Sequence, residues 1–305
     1  MVTNTKICTS LLAPQGIAKR CQGDPCSFFS TTVGGWKIPK PSTATTNNNK
    51  KQSPVVETFS FRHPYTQEPV QILLQQRFTV APGTATANTG DQTGTWVWPT
   101  THVLLDYFLQ QQQQHDNEED YLQQWFMHPT TSTSSSRRTI NILELGSGCG
   151  LLGMALAAMA GPHQVHVTLS DHAGNIGWLQ QNLALNRSRP MMQQRQVEAR
   201  TLSWGKYKDN VTLLQQEQQQ QPIDIILGSD LIYERTNHEA LVETLIGLKD
   251  TNLIQFEKSP TILLAYPHRE KSTEDHFFQL LLADGSFRDV EKKQLDKNVI
   301  LATVT

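Results

Sequence analysis

Charge of either sign is scarce in this chain and nearly balanced: 26 lysines and arginines stand against 28 aspartates and glutamates over 305 residues, a net charge of −2. That balance lacks the basic footprint by which proteins hold nucleic acid. Long apolar runs are missing too. The longest apolar helical candidate, "LLGMALAAMA", falls well short of the roughly 18–20 residues that cross a bilayer, so a soluble chain with no membrane partner is expected. Cysteine is rare, with only Cys8, Cys21, Cys26 and Cys149. A disulfide scaffold does not fit that density at this length. The first three have no histidine or cysteine partners at zinc spacing, and no metal site is expected.

What the chain does have is an uneven excess of polar residues. Only 37% of it is hydrophobic, but the deficit is concentrated in the first fifty residues and in two Gln-rich stretches near 110–136 and 214–221. Residues 1–55 are rich in Ser and Thr and carry Lys6, Lys19, Arg20, Lys37, Lys40, Lys50 and Lys51 with little acid beyond Asp24. Such a segment buries too little apolar surface to offset its ordering entropy and reads as a disordered tail. Its composition is also that of an organellar transit peptide. Cytoplasmic residence is expected if the tail is retained, a mitochondrion or plastid if it is cleaved.

Residues 56–305 read as one domain. "VVETFSF" and "VQILLQQRF", separated by "RHPYTQEP", predict a hairpin-like cover. "TGTWVWPTTHVLLDYFLQ" then runs into a helix whose Val103, Leu104, Tyr107 and Phe108 share a face. From Ile140 the chain alternates strand and helix: "INILEL", "QVHVTLSD", "QVEARTL", "IDIILGSD" and "TILLAYP" are strands with helices among and after them. That alternation predicts a parallel sheet with helices on both faces. "FRDVEKKQL" and "NVILATVT", joined by "DK", must be antiparallel to each other. The expected fold class is α/β, a seven-stranded, mostly parallel sheet with one antiparallel strand near the C-terminus.

The chemistry concentrates in "NILELGSGCGLLG". A glycine loop between a strand and a helix leaves room for a ligand, and the helix N–H groups face it. A dinucleotide fingerprint counted from Gly146 would put its third glycine at Leu151; the better description is E-x-G-x-G-x-G, with Glu144 on the strand. Asp171, ending "TLSD", lies at the distance where an acidic residue holds ribose hydroxyls, although an Asp there also suits a helix cap. Cys149 reads as a small space-filler within the loop.

In order, "TGTWVWP", "ILELGSGCGLLG", "TLSD", "LSWG", "DIILGSDLIYE" and "AYPHRE" resemble the motifs of the seven-β-strand methyltransferases that use S-adenosylmethionine, and among these the protein-lysine methyltransferase-like branch. The likeness covers roughly residues 56–305. It implies a Rossmann-like sheet, S-adenosyl-L-methionine as cofactor and a protein substrate bearing the target lysine, with a monomer expected. It implies cofactor contacts by Trp96, Glu144, Gly146, Gly148, Gly150, Asp171, Trp204 and Ser229. It puts Asp230 and Tyr233, a D-x-x-Y element, on the substrate side. The implied ligand agrees with the residues, because a sulfonium cation without phosphate suits a Glu beside the loop whereas a pyrophosphate would be repelled by it. His268, Arg269 and Glu270 follow the fifth strand at the same rim, as substrate contacts or as a solvated charge run.

Arginine, histidine or a small molecule are alternative acceptors on this scaffold. A nicotinamide-dependent dehydrogenase would need the other glycine phase and a catalytic Tyr/Lys or His pair, neither of which is evident, and an inactive binding scaffold would be expected to show a damaged glycine loop.

Overall fold

A computed structural model describes residues 55–64, 66–76, 93–111, 139–160, 165–189, 192, 196–205 and 221–305, together with the backbone of a two-residue ladder, β1 (Thr32–Val33) against β2 (Trp36–Lys37). The rest of the N-terminal tail and most of the two Gln-rich stretches lie outside the described residues.

The expected hairpin is present as β3 (Val55–Arg62) and β4 (Pro69–Gln76), paired antiparallel from Val55 against Gln76 to Arg62 against Pro69. After α1 (Pro99–Gln111) come β5 (Ile140–Leu145), α2 (Leu151–Met159), β6 (Val165–Asp171), α3 (Ala173–Asn186) and β7 (Gln196–Thr201). The chain continues through β8 (Ile225–Ser229), α4 (His238–Phe256), β9 (Thr261–Pro267), α5 (Lys271–Ala283), β10 (Val290–Gln294) and β11 (Val299–Val304). The sequence pattern predicts α4 only as far as Lys249. It runs on to Phe256 because the buried Asn252 side chain bonds the Ile223 N–H and carbonyl and the Lys258 carbonyl, tying the last turn to the entrance of β8.

Seven strands form one sheet in the order β10-β11-β9-β8-β5-β6-β7. β7, β6, β5, β8 and β9 are parallel, and β11 is the one reversed strand, inserted between β9 and β10. Successive side chains of a strand point to opposite faces, and the core divides accordingly. Ile142, Val167, Leu227 and Leu263 face α1, α2, α3 and the hairpin, while Leu143, Ile226, Leu264 and Tyr266 face α4 and α5. All nine residues of α2 are buried, as befits a helix apolar on every side. The strand order reverses between β5 and β8, and parallel sheets bind ligands beyond the carboxyl ends of the strands at such a switch point.

A two-stranded hairpin leaves open backbone edges, and here one edge is closed by asparagines. Asn186 accepts the Leu73 N–H at 2.9 Å and donates to the Leu73 carbonyl at 2.7 Å; Asn182, one turn earlier, does the same at Gln75, at 2.7 and 3.2 Å. Two side chains of α3 thus take the place of a neighbouring strand. Asn182 also donates to the Cys149 carbonyl at 3.1 Å, so the hairpin and the glycine loop share one anchor. Replacing this fully buried residue, Asn182→Ala, strands one N–H and two carbonyls. At about 1–3 kcal/mol for a buried polar group left unsatisfied, with some re-satisfaction by water, denaturant unfolding is expected to show a loss of about 2–4 kcal/mol. A loss under about 0.5 kcal/mol would mean that the edge is not held this way.

Candidate functional site

The strand "INILEL" ends at Leu145, and the chain must turn at once to start α2. Gly146, Gly148 and Gly150 all have positive φ, 57°, 55° and 83°, a region that glycine enters without steric cost. The intervening Ser147 stitches the turn to β6: its N–H donates to the Ser170 carbonyl at 2.9 Å, and its hydroxyl accepts the Ser170 N–H at 3.0 Å. Gly150 occupies the cap position of α2 and has no side chain to cap with. Glu144 does that work from the strand, accepting the Gly153 N–H at 2.9 Å. Gly153 itself lets α2 lie directly on the sheet, since a Cβ there would stand 2.3 Å from Leu169, 2.6 Å from the Glu144 carboxyl and 2.9 Å from Val167.

Asp171 ends β6 beside this loop. One of its oxygens accepts the Gly148 N–H at 2.8 Å and the Asn175 amide at 2.9 Å, and the other accepts the His172 N–H at 2.8 Å. The cap of α3 is His172 rather than Asp171, which leaves the aspartate to the loop. The Asn175 amide also reaches the carbonyls of Gly148 and Gly94, at 3.2 and 3.4 Å. Gly94 is required there, because a Cβ on it would fall 2.4 Å from that amide nitrogen. In this way α3 holds the segment before α1 against the glycine loop.

Between the two lies a cavity that encloses about 320 Å³ of space, its open mouth included. Its wall is made by Trp96, Val97, Trp98 and Thr101 on one side and by Glu144, Gly146, Ser147, Gly148, Cys149, Leu151, Leu152 and Ser229 on the other. The rings of Trp96 and Trp98 meet edge to face at 4.7 Å. No lysine or arginine is among these lining residues. Burial pushes the Glu144 carboxyl up to about 8, against the lowering effects of the Gly153 N–H and the Ser147 hydroxyl. The group is therefore mostly protonated at neutral pH, and the loop is held by a neutral acid.

Of the ten residues singled out from the sequence, Trp96, Glu144, Gly146, Gly148 and Ser229 line the cavity. Gly150 turns inward, with Leu179 and Leu169 where its Cβ would be, and Asp171 stands behind the loop. Trp204 is half-buried, its ring 3.4 Å from the position of a Cβ on Gly146. Asp230 and Tyr233 are not among the lining residues; Tyr233 is half-buried on the rim between β8 and α4.

Asp230 is the most constrained of the set. Its φ is 64°, uncommon for a residue with a side chain, and its N–H is tied to the Ala265 carbonyl of β9 at 2.8 Å. Its carboxylate accepts the Thr100 hydroxyl at 2.7 Å on one oxygen and the Arg269 guanidinium at 3.1 Å on the other. Burial raises its pKa, opposed by the Arg269 charge and the Thr100 hydrogen bond. Of the rim run after β9, Arg269 is the member that reaches the site. His268 instead pairs with Glu274 at 2.8 Å, and Glu270 accepts the Ser272 and Thr273 hydroxyls at the start of α5. Sequence reasoning missed Gly94, Asn175, Asn182 and Thr100. "TGTWVWPTT" held two of them, but only the fold brings Thr100 to Asp230 and Gly94 to Asn175.

A family model described as lysine methyltransferase matches residues 84–284. Among curated proteins, EEF1A lysine methyltransferase 3 of Xenopus tropicalis is 28% identical over 54% of this chain and 63% of its own. Protein N-lysine methyltransferase METTL21A of Danio rerio is 30% identical over 52% and 66%, and protein-lysine N-methyltransferase EFM6 of Saccharomyces cerevisiae 32% over 45% and 53%. The chain thus spans between about half and two thirds of the length of these relatives. The solved SAM-dependent methyltransferase from Aquifex aeolicus overlays 54% of this chain and 81% of its own at 16% identity, with a TM-score of 0.37.

Proposed function

This chain belongs to the lysine methyltransferase family, and on that premise we propose that it is a protein-lysine N-methyltransferase using S-adenosyl-L-methionine, with residues 56–305 as the catalytic unit. The observation that carries the reading is the cavity itself. It joins a glycine loop, two tryptophans and a carboxyl, with no basic side chain among the described lining residues. That set fits a sulfonium cation with an adenine ring, which the carboxyl can ionise to meet and the tryptophan faces can pack against. When bound, the cofactor supplies an electrophilic methyl group.

The chain's own part is to hold the two reactants in line and to handle one proton. Gly146 and Gly148 carry the loop along the cavity in left-handed backbone, while Asp171 and Asn175 fix the loop's path. A lysine side chain, with an ordinary pKa near 10.4, must arrive as or become a neutral amine before attack. Asp230, beyond the carboxyl end of β8 and next to the cavity-lining Ser229, is the carboxylate we assign to that amine. Tyr233 lies on the same rim and offers an aromatic wall for the lysine stem. Positioning of this kind carries most of the rate in a direct displacement.

The protonated Glu144 gives a prediction. A cation entering the cavity favours the ionised form and lowers the carboxyl from about 8. Cofactor titrations at pH 7 in buffers of different ionisation enthalpy are therefore expected to report release of up to about one proton per site, and Glu144→Gln is expected to abolish it. An unchanged release in that variant would place the proton elsewhere.

The test of the function is transfer of tritiated methyl from the cofactor by the full chain, to purified elongation factor 1A and to proteins of a eukaryotic lysate. Acid hydrolysis of the labelled protein is expected to yield methylated lysine. Label in methylarginine or methylhistidine would overturn the residue assignment. Binding of cofactor with no label on any protein would overturn the protein substrate.

A further inference from the structure

The Asp230 carboxylate is not open to an incoming ammonium group. Its side chain is 4% exposed, and both oxygens are engaged, one by Thr100 and one by Arg269. The Thr100 hydroxyl belongs to the first turn of α1 and is fully buried. Arg269 differs. Its side chain is 37% exposed, and its guanidinium carbon stands 5.6 Å over the Trp98 ring, one wall of the cavity. It has an aromatic face and open solvent to move onto, and a guanidinium keeps cation–π attraction when it leaves a carboxylate. Its backbone stays put meanwhile, because the Arg269 N–H is held by Glu274 at 3.0 Å and the preceding His268 N–H by the Asn298 carbonyl. The freedom at this position lies in the side chain.

We propose that Arg269 is a resident cation in the seat of the substrate's ammonium group, and that a lysine side chain enters by exchanging with it on Asp230. The inference rests on the lysine methyltransferase reading for the identity of the incoming cation. Without a substrate, this buried carboxylate, one residue beyond the cavity-lining Ser229, would be left uncompensated, which is costly; Arg269 supplies the missing charge. The exchange also selects among acceptors. A cationic amine replaces one positive charge by another, whereas a neutral hydroxyl or thiol would have to leave Asp230 unpaired. Unlike the guanidinium, the ammonium can pass a proton to the buried carboxylate, whose burial favours the protonated form, and is left as the neutral amine that attacks.

Arg269 is thus a positioning and specificity residue, and its test needs no knowledge of the substrate. The probe is n-butylammonium, a lysine side chain without its backbone, titrated into the full chain and followed by ligand-observed NMR. Arg269→Gln is expected to bind the probe about tenfold or more tightly than wild type, the affinity a vacated seat would add. Arg269→Lys, which keeps the charge, is expected to stay weak, and Asp230→Asn/Arg269→Gln to lose the gain. In the wild-type chain the side-chain N–H resonance of Arg269 is expected to shift as the probe saturates, a readout that stands even if a variant fails to fold. Equal affinity in wild type and Arg269→Gln, or an Arg269 resonance indifferent to the probe, would overturn the exchange. The methyltransferase reading would survive that result, since it falls or stands on the tritium transfer.

Discussion

Gly153→Ala is expected to destabilise the chain by about 2–4 kcal/mol, although alanine is the better helix former by up to about 1 kcal/mol. The reason is that no neighbour of the new methyl can yield. It would stand 2.3 Å from the Leu169 methyl, 2.6 Å from the Glu144 carboxyl and 2.9 Å from the Val167 methyl. Leu169 and Val167 are fully buried on β6, and Glu144 holds the Gly153 N–H itself. Relief requires α2 to lift off the sheet, which shifts the loop at its N-terminus and breaks its cap. Thermal unfolding is expected to fall by roughly 5–12 °C for a domain of this size, and cofactor affinity by tenfold or more. A variant as stable as wild type would mean that helix propensity dominates here and that the close approach of α2 is not needed.

Asp230→Asn is the second, with the larger effect on activity. Asparagine is nearly isosteric and tolerates the left-handed backbone at φ 64°, so the variant is expected to fold. It retains an acceptor for Thr100 but loses the charge and the capacity to take a proton. Transfer of tritiated methyl is expected to drop by about 10²–10⁴-fold, the range for removing a positioned acid–base group. Cofactor affinity should stay within about twofold, because Asp230 is absent from the cavity lining. Asp230→Ala is the poorer test, since a β-carbon without a compensating side-chain bond in that backbone region adds strain of order 1 kcal/mol. Activity within threefold of wild type in Asp230→Asn would remove the carboxylate from the mechanism.

Much of the architecture was legible because it is local. Strand–helix alternation marks the parallel sheet, and "DK" between the last two strands forces their antiparallel pairing. The insertion of β11 between β9 and β10 is not local, and nothing in "NVILATVT" announces it. The glycine loop could be read from spacing because its constraint, positive φ at a strand–helix turn, is a property of the backbone. The asparagines of α3 could not. Asn175, Asn182 and Asn186 look like the polar face of an ordinary amphipathic helix, and only the docked hairpin and loop turn them into buried partners. Arg269 was named with His268 and Glu270 as a rim residue but could not be told apart from them. In "PHREK" it is one charge among several, and its neighbours His268 and Glu270 do take local partners. What separates it from them is Asp230, thirty-nine positions away in sequence.

The claim that the cavity is a sulfonium-cofactor site is tested most directly by calorimetric titration of the full chain with S-adenosylmethionine and, separately, with NAD. Micromolar binding of S-adenosylmethionine is expected, with loss in Gly148→Arg, whose side chain would have to start 3.4 Å from the Gly94 carbonyl in a left-handed turn. No measurable binding of NAD is expected. Binding of NAD alone would contradict the account and return Glu144 and Asp230 to purely structural roles.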